Sequence, residues 1–364
     1  MGSEYTNTYE NWLAGEIPEE PLLVRKNVSL PGNKTLQAIQ SGMNVRLAQE
    51  TMKIPLSHVS LYNVDVQPVL TNETVNSEDV RNPEAFQIIT LNEGSEDFKE
   101  TDYSLMKYGC GTVAIRYGTK LAEAYIDAHR STLETWDPAS VVVTSSAYKV
   151  APTASNIVMQ GFLARLNRFF LEMQKGPAHP VHISRLSLAS GDYGNLTEAQ
   201  RMQRMRHNKL YVDPAQIQGK HVLIVDDAYI TGAHERNVRE LLDEQKPASL
   251  TFLYIVKLKN GVGGKFPKVE DRINHAAIHK VTDIFTLMRR PDFVPNDRVC
   301  KGLLSRIDSD TLQKELCDVI DDGYGWHVLT LERMALGNGY AGMPEYRQAY
   351  QAIHHALLSR GYAS

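Results

Sequence analysis

The feature that most constrains this chain is an apolar run that ends in two adjacent carboxylates. Residues Val222 to Val225 read VLIV, and Asp226 and Asp227 follow them directly. Four uninterrupted aliphatic residues are typical of a strand that is buried on both faces, as in a parallel sheet. The two aspartates are then expected at the carboxyl edge of that sheet, where open α/β folds bind their ligands.

The residues after the aspartates predict a turn that leads into a helix. The segment ITGAHE begins at Ile230, and an amphipathic stretch follows it as far as Leu242. A helix N-terminus offers unpaired backbone N–H groups and the positive end of the helix dipole. We therefore expect this turn to favour a phosphate group. The alternative is an ordinary strand-to-helix unit whose acidic pair caps the helix or faces solvent.

The order of the predicted elements indicates an α/β fold. Apolar runs alternate with helical periodicity through the middle of the chain, with predicted strands at 139–146, 180–186, 221–226 and 249–258 and predicted helices at 153–173 and about 233–244. Such alternation is typical of right-handed βαβ crossovers. We predict a mostly parallel central sheet flanked by helices, with N- and C-terminal extensions.

Three regions are predicted along the chain. Residues 1–100 lack clean periodicity and are expected to form an irregular or mixed extension, whereas residues 101–260 form the α/β core. Residues 261–364 are expected to form a mainly helical extension, with helices near 269–278, 281–290 and 310–321.

Composition narrows the class of protein. A net charge of −4 argues against a general nucleic-acid binder. Three scattered cysteines are too few for a disulfide framework or a zinc site, so a reducing cytoplasm is the expected location. The sequence shows no apolar stretch near the roughly 18 residues of a membrane span. We therefore predict a cytoplasmic protein that binds neither membrane nor nucleic acid.

The segment VLIVDDAYITGA, from Val222 to Ala233, resembles the phosphoribosyl diphosphate (PRPP) binding motif of type I phosphoribosyltransferases. The resemblance implies that Asp226 and Asp227 hold the 2′ and 3′ hydroxyls of the ribose. It assigns the 5′-phosphate to the turn, namely to Ile230, Thr231, Gly232, Ala233 and His234. The motif departs from the family pattern where Ile230 and His234 replace hydroxyl residues and Ala233 replaces a frequent glycine.

A second segment, TSSAYKVAPTAS, follows the predicted strand 139–146 and resembles the pyrophosphate loop of the same family. Its AYK triplet is similar to the PAYKG form of orotate phosphoribosyltransferases. The resemblance implies that Ala147, Tyr148 and Lys149 bind the diphosphate, with backbone amides of the loop contributing, and that Lys149 stabilises the leaving group. The alternative is an exposed lysine in a surface turn.

A third segment, ASGDYGNLTEAQRMQRMRHNKLYVD, stands where these enzymes carry a long catalytic loop. Long loops of this kind are usually lids or disordered inserts. This one concentrates positive charge at Arg201, Arg204, Arg206, His207 and Lys209. Arg204 is assigned to the catalytic set, and Arg185 is a further candidate for a diphosphate contact. A solvated amphipathic helix is the other interpretation of the segment.

The resemblance implies transfer of the 5-phosphoribosyl group from PRPP to a nitrogenous, base-like small-molecule acceptor, with release of pyrophosphate. The implied catalytic residues are Asp226, Asp227, Lys149 and Arg204. Mg²⁺ is the implied cofactor, bound mainly by PRPP oxygens with Asp226 and Asp227 as its carboxylate ligands. Related folds often pair, so a homodimer is expected. The segment YSLMKYGCGTVAIRYGTKLAEAY is similar to a helix of family members from bacterial tellurium-resistance gene clusters.

Two other functions compete with a transferase. A non-catalytic PRPP-binding regulator would keep the same fold, because fold alone does not dictate chemistry. A PRPP-producing diphosphokinase ranks lower, since the sequence has no evident ATP-binding segment. In the C-terminal region, four aromatic residues are candidates either for stacking on an acceptor or for the core, namely Tyr324, Trp326, Tyr340 and Tyr346.

Overall fold

The computed structural model describes residues 54–68, 86–92, 96–186, 210–259, 261, 263, 269–306 and 310–362. The predicted catalytic loop lies outside the described residues between 187 and 209, and with it Arg204 and the other cations assigned to that loop. The catalytic role of Arg204 therefore stays a prediction.

The central sheet is mostly parallel, which confirms the predicted fold class. The described strands are β1 (Leu56–Pro68), β2 (Phe86–Thr90), β3 (Val141–Ser145), β4 (His179–Pro180), β5 (Ser184–Arg185), β6 (Leu210–Tyr211), β7 (His221–Tyr229) and β8 (Ser249–Leu258). Strand order in the sheet is β2-β1-β8-β7-β3-β4. The edge strand β2 runs antiparallel to β1, and the other neighbours are parallel. Strands β5 and β6 pair in a separate antiparallel ribbon.

Helices flank this sheet and dominate the C-terminal part of the chain. They are α1 (Glu100–Lys107), α2 (Gly111–Thr135), α3 (Ala154–Glu172), α4 (Ala233–Asp243), α5 (Val269–His275), α6 (Val281–Met288), α7 (Asp297–Leu304), α8 (Asp310–Val319), α9 (Gly325–Asn338) and α10 (Arg347–Leu358). Among them, none is long and apolar enough to cross a membrane, a statement that covers the described part of the chain.

The apolar run of β7 is buried on both faces of the sheet, as its sequence predicts. Leu223 and Val225 belong to the larger core, which the helices α2 and α3 also form. Val222 and Ile224 belong to a second core on the other face, together with Val238 of α4. Because side chains alternate along a strand, an unbroken aliphatic run fills both cores at once.

The N-terminal strands enlarge the sheet beyond the predicted core. In β1, Tyr62, Val64 and Val66 are buried at alternate positions, so the strand has one core-facing side. β1 pairs in parallel with β8, far along the chain, and this long-range pairing leaves no local signal. The sheet thus takes strands from both sides of the predicted boundary at residue 101. The three-part domain division itself stays a prediction.

The strand predicted at 180–186 is wrong as a single element. Its beginning, β4, pairs with β3, and the N–H of Val181 still donates to the carbonyl of Val143. The chain then leaves the sheet, and Ser184 and Arg185 pair with the ribbon strand β6 instead. A short apolar run gives no sign of this change of partner.

The C-terminal aromatics lie in two environments. Tyr340 and Tyr346 are buried and contact each other, with ring centroids 5.7 Å apart. Trp326 is exposed over 67% of its surface and packs edge-on against Tyr362. The core interpretation is therefore confirmed for Tyr340 and Tyr346.

Helices α2 and α3 pack closely through two glycines. A Cβ placed on Gly118 would lie 2.1 Å from the carbonyl oxygen of Val158, and one on Gly161 would lie 2.6 Å from that of Ile115. Backbone atoms cannot move aside as a flexible side chain can. These glycines thus set the helix spacing on one face of the sheet.

We predict that Gly118→Ala destabilises the protein. Alanine normally favours a helix over glycine by roughly 1 kcal/mol, but overpacking against backbone should cost about 1–3 kcal/mol and outweigh that gain. Urea denaturation should show a lower midpoint. Gly176→Ala is the control, because a Cβ there would meet nothing within 4 Å. Equal midpoints for the two variants would contradict the packing argument.

Candidate functional site

A pocket opens at the carboxyl end of β7, where the neighbouring strands differ in length. β3 pairs with β7 up to Val225, whereas β8 pairs with it as far as Tyr229. Asp226 and Asp227 therefore lie just beyond the end of β3. The pocket is lined by Lys107, Ser146, Thr153, Arg185, Leu210, Asp226, Asp227, Ala228, Tyr229, Ile230, Thr231, Gly232, Ala233, His234, Glu235, Asn237, Tyr254, Glu270, Asp297 and Lys301.

Asp226 is a buried carboxyl group, exposed over 6% of its surface. Its Oδ1 accepts hydrogen bonds from the Ser146 hydroxyl at 2.8 Å and from the N–H of Asp227 at 3.0 Å. Burial raises the pKa of Asp226 above its ordinary value, and the adjacent Asp227 adds to this, while His234 and Ser146 oppose it. Ionising this group therefore costs free energy in the folded protein.

Asp227 is held by helix α1. The Lys107 ammonium donates to its Oδ2 at 2.5 Å, and the Tyr103 hydroxyl donates to its Oδ1 at 3.3 Å. Burial alone would lower the pKa of Lys107, but Asp227 raises it, and the net direction is upward. Burial raises the pKa of Tyr103 well above its usual range, so this residue remains a hydrogen-bond donor. Asp227 thus has a fixed orientation and a paired charge.

The turn predicted to bind phosphate forms the start of α4. Gly232 is the N-cap of the helix with φ 71°, in the left-handed region that favours glycine. A Cβ on Gly232 would lie 2.7 Å from the Tyr229 hydroxyl. The first N–H groups of α4 have no partner within the helix, and the turn residues line the pocket. The structure therefore brings Ile230 to His234 together with both aspartates.

Two nitrogen atoms of the pocket are buried and make no hydrogen bond within the described part of the chain. One is Nε2 of His234, which lies 3.7 Å from Oδ2 of Asp226. The other is Nε of Arg185, on the ribbon strand β5. Buried polar atoms without partners are costly. A polar or anionic ligand in the pocket would offer hydrogen-bond partners to both.

The AYK triplet of the predicted pyrophosphate loop lies outside the pocket lining. Ala147 is buried, Tyr148 is half-buried and Lys149 is exposed, and these residues are not among those that line the pocket. Tyr148 is tied to the ribbon strand: its N–H donates to the carbonyl of Ile183, and its carbonyl accepts from the N–H of Arg185. The loop therefore borders the pocket through its first and last residues, Ser146 and Thr153.

Two further N–H groups of this loop are occupied inside the protein. Those of Val150 and Ala151 both donate to Oδ1 of Asn338, at 3.0 and 3.3 Å. The loop amides expected to face a diphosphate are thus partly engaged by the C-terminal helix α9.

The carboxylate pair fits a protein-held Mg²⁺ poorly. The Lys107 ammonium occupies one oxygen of Asp227, and Oδ1 of Asp226 already accepts two hydrogen bonds. No group of three or more His, Cys, Asp or Glu residues that could hold a metal occurs within the described ranges. A Mg²⁺ ion keeps several waters and binds through substrate phosphates more readily than through a protein cage. Assignment of Asp226 and Asp227 as metal ligands stays a prediction.

Several pocket residues have no local sequence signal. Lys107 meets Asp227 from 120 positions earlier in the chain. Glu270, Asp297 and Lys301 come from the C-terminal helices α5 and α7. Ser146 is the exception, because it directly follows the strand that precedes the AYK triplet.

The chain belongs to the PRTase ComF-like family. A sequence model of that family matches residues 84–353, which is more than half of the chain. The match extends from β2 to α10 and so includes both the carboxylate pair and the C-terminal helices. The predicted phosphoribosyltransferase family is thereby confirmed, whereas the assignment of the individual motifs and the likeness to members from tellurium-resistance gene clusters stay predictions. Among curated proteins, none matches this sequence.

Solved structures that match part of this chain include phosphoribosyltransferases. A hypoxanthine-guanine phosphoribosyltransferase of L. donovani is 18% identical over 43% of this chain and 77% of its own, with a TM-score of 0.28. A hypoxanthine phosphoribosyltransferase of Trypanosoma cruzi, complexed with the product IMP, is 15% identical over 42% of this chain and 77% of its own, with a TM-score of 0.29.

We predict that Asp226→Asn stabilises the protein at neutral pH. The folded-state pKa of Asp226 lies above the unfolded one, so ionisation lowers the free energy of unfolding as the pH rises. The variant should unfold at higher urea concentration at about pH 7.5. Its advantage should shrink toward the unfolded pKa near pH 4, where both states bind the proton. A pH-independent difference between variant and wild type would contradict this explanation.

Proposed function

We propose that this protein is a phosphoribosyltransferase that moves the 5-phosphoribosyl group of PRPP to a small nitrogenous acceptor and releases pyrophosphate. The observation that carries the proposal is the joint geometry of Asp226, Asp227 and the Thr231–His234 turn around one pocket. Carboxylates accept hydrogen bonds from sugar hydroxyls, and the adjoining helix N-terminus favours a phosphate. These two binding modes, side by side, match ribose 5-phosphate.

The charges of the pocket suit the proposed reaction. Breaking the bond between C1 of the ribose and the diphosphate leaves positive charge on the sugar and additional negative charge on the leaving group. The paired acids at Asp226 and Asp227 lie on the proposed sugar side, and Arg185 contributes a cation and an unpaired buried donor. Preorganised charges of this kind stabilise a transition state. The acceptor nitrogen would then form the new bond to C1 as pyrophosphate departs.

We predict that the double variant Asp226→Asn/Asp227→Asn binds Mg·PRPP and ribose 5-phosphate far more weakly than the wild type. Each lost hydrogen bond to a charged group contributes about 1.5–3 kcal/mol, so the affinity should fall by roughly 100-fold or more. Isothermal titration calorimetry measures both ligands directly.

Asp243→Asn is the matched control for the aspartate pair. Asp243 is the last residue of α4, pairs with Arg239 in the same helix and lies outside the pocket. It should leave both affinities unchanged. Unaltered Mg·PRPP affinity in the double variant would overturn the assignment of the ribose site.

Arg185→Ala and Lys149→Ala should each weaken pyrophosphate and PRPP but spare ribose 5-phosphate. Removing one charged partner should lower the diphosphate affinity by roughly 10- to 100-fold. Lys149 is exposed, and its long, flexible side chain can turn toward a diphosphate. Arg168→Ala, on the surface of α3, serves as the control. Equal losses for all three ligands would contradict the assignment to the diphosphate.

A non-catalytic PRPP-binding regulator is the second candidate. It is favoured by the position of Lys149 outside the pocket lining and by the ion pair that already engages Asp227. The two functions differ in turnover. Release of pyrophosphate from Mg·PRPP in the presence of a panel of nitrogenous acceptors supports the transferase. Tight PRPP binding with no release across the panel supports the regulator.

We also propose that the protein requires Mg²⁺, forms a homodimer and is located in the cytoplasm. These proposals rest on the family and on the composition of the chain. The position of Lys107, Glu270, Asp297 and Lys301 around the pocket favours a polar acceptor. Pyrophosphate release with pyrimidine, purine and non-aromatic amine acceptors tests this preference.

A further inference from the structure

The loop between β3 and α3 is held by the C-terminal helices on one side. Oδ1 of Asn338 accepts the N–H groups of Val150 and Ala151, while its Nδ2 donates to Oδ1 of Asp297 at 3.1 Å. The N–H of Asp297 in turn donates to the carbonyl of Pro152 at 2.8 Å. Asn338 is exposed over only 3% of its surface. One buried amide thus links the loop to the first residue of α7.

Asp297 is itself fixed by three groups besides the loop. Asn338 and the Tyr340 hydroxyl donate to its Oδ1, and the Lys301 ammonium lies 2.9 Å from its Oδ2. Asp297 and Lys301 also line the pocket. The hydrogen bonds that hold the loop therefore continue directly into the wall of the site.

Packing adds a second restraint at the same place. A Cβ on Gly337 would lie 2.9 Å from both methyl carbons of Val150. Val150 therefore sits against α9 where the helix has no side chain. The hydrogen bonds of Asn338 and this close approach act on one short stretch of loop.

The other side of the loop is held by the ribbon strand β5 and the two residues before it. Tyr148 exchanges hydrogen bonds with Ile183 and Arg185, and its ring lies 4.1 Å from that of His182. Lys149 is thus placed between two anchored neighbours, Tyr148 and Val150. Its backbone is restrained from both directions, although its side chain is exposed.

We propose that Asn338 is a positioning residue for the diphosphate, acting through the loop that carries Lys149. This inference rests on the proposed use of PRPP. Asn338 does not contact the ligand. It accepts hydrogen bonds from the Val150 and Ala151 N–H groups and so fixes the position of the Lys149 backbone relative to Arg185. The C-terminal helices are then part of the diphosphate site, and the loop requires them to bind the leaving group.

The experiment compares three ligands by isothermal titration calorimetry: pyrophosphate, Mg·PRPP and ribose 5-phosphate. Asn338→Leu removes both loop hydrogen bonds and the bond to Asp297, while the number of side-chain heavy atoms stays the same. It should bind pyrophosphate and PRPP roughly 5- to 20-fold more weakly, as expected for the loss of two backbone hydrogen bonds. Its affinity for ribose 5-phosphate, which lacks the diphosphate, should match that of the wild type.

Gly337→Ala tests the same restraint without removing a hydrogen-bonding group. Alanine favours a helix, so this variant should fold even where Asn338→Leu does not. Its methyl group would displace Val150, and the same selective loss of pyrophosphate affinity is expected. Amide hydrogen exchange at Val150 and Ala151 should be faster in Asn338→Leu than in the wild type.

Asn167→Leu is the matched control. Asn167 also uses its side-chain amide to hold a loop, accepting from the N–H of Ala178 at 2.8 Å and donating to its carbonyl at 3.2 Å, and it lies outside the pocket. It should change none of the three affinities.

The possible outcomes separate the two proposals. If the wild type binds Mg·PRPP but both α9 variants bind pyrophosphate as well as it does, the role of Asn338 is overturned and the proposed function stands. Equal losses for pyrophosphate and ribose 5-phosphate indicate general destabilisation and also overturn it. A wild type that binds none of the three ligands overturns the proposed function and this inference with it.

Discussion

The unequal pairing of β7 with its two neighbours is the constraint on which the site depends. β3 ends at Ser145, beside Val225, while β8 accompanies β7 to Tyr229. Asp226 therefore lies beyond the end of β3 on one side of β7, while β8 still pairs with this part of β7 on the other side. Because parallel strands end at the same edge, the loop after β3 and the turn after β7 meet there. The pocket is a consequence of strand length as much as of residue type.

The charged and polar groups at this edge of the sheet are only partly paired with one another within the described residues. Asp227 is paired with Lys107, but Asp226 is a buried carboxyl group with a raised pKa, and Nε2 of His234 remains without a hydrogen bond in the described structure. Such groups lower stability and are typical of functional sites. A ligand that carries hydroxyls and an anion would complete these interactions.

The C-terminal helices belong to the site although they follow the α/β core in the chain. Asn296, just before α7, donates to the carbonyl of Lys107 at 3.2 Å and so helps to hold the end of α1 that carries the partner of Asp227. Asn338 and Asp297 hold the loop after β3. The C-terminal helices thus support both the residues proposed to bind the ribose and the loop proposed to bind the diphosphate. The family match from residue 84 to residue 353 spans all of these parts.

The sequence by itself determined the central strand, the acidic pair at its end and the turn into α4, because burial on both faces and a helix N-terminus leave local patterns in the residues concerned. It also placed the sheet in the parallel class, since strands and helices alternate. Only the tertiary structure decided that Lys107 pairs with Asp227, that β1 joins the sheet and that Asn338 holds the loop before α3. These contacts join residues more than a hundred positions apart. Each is set by which elements pack together, and a linear pattern of residues carries no record of that packing.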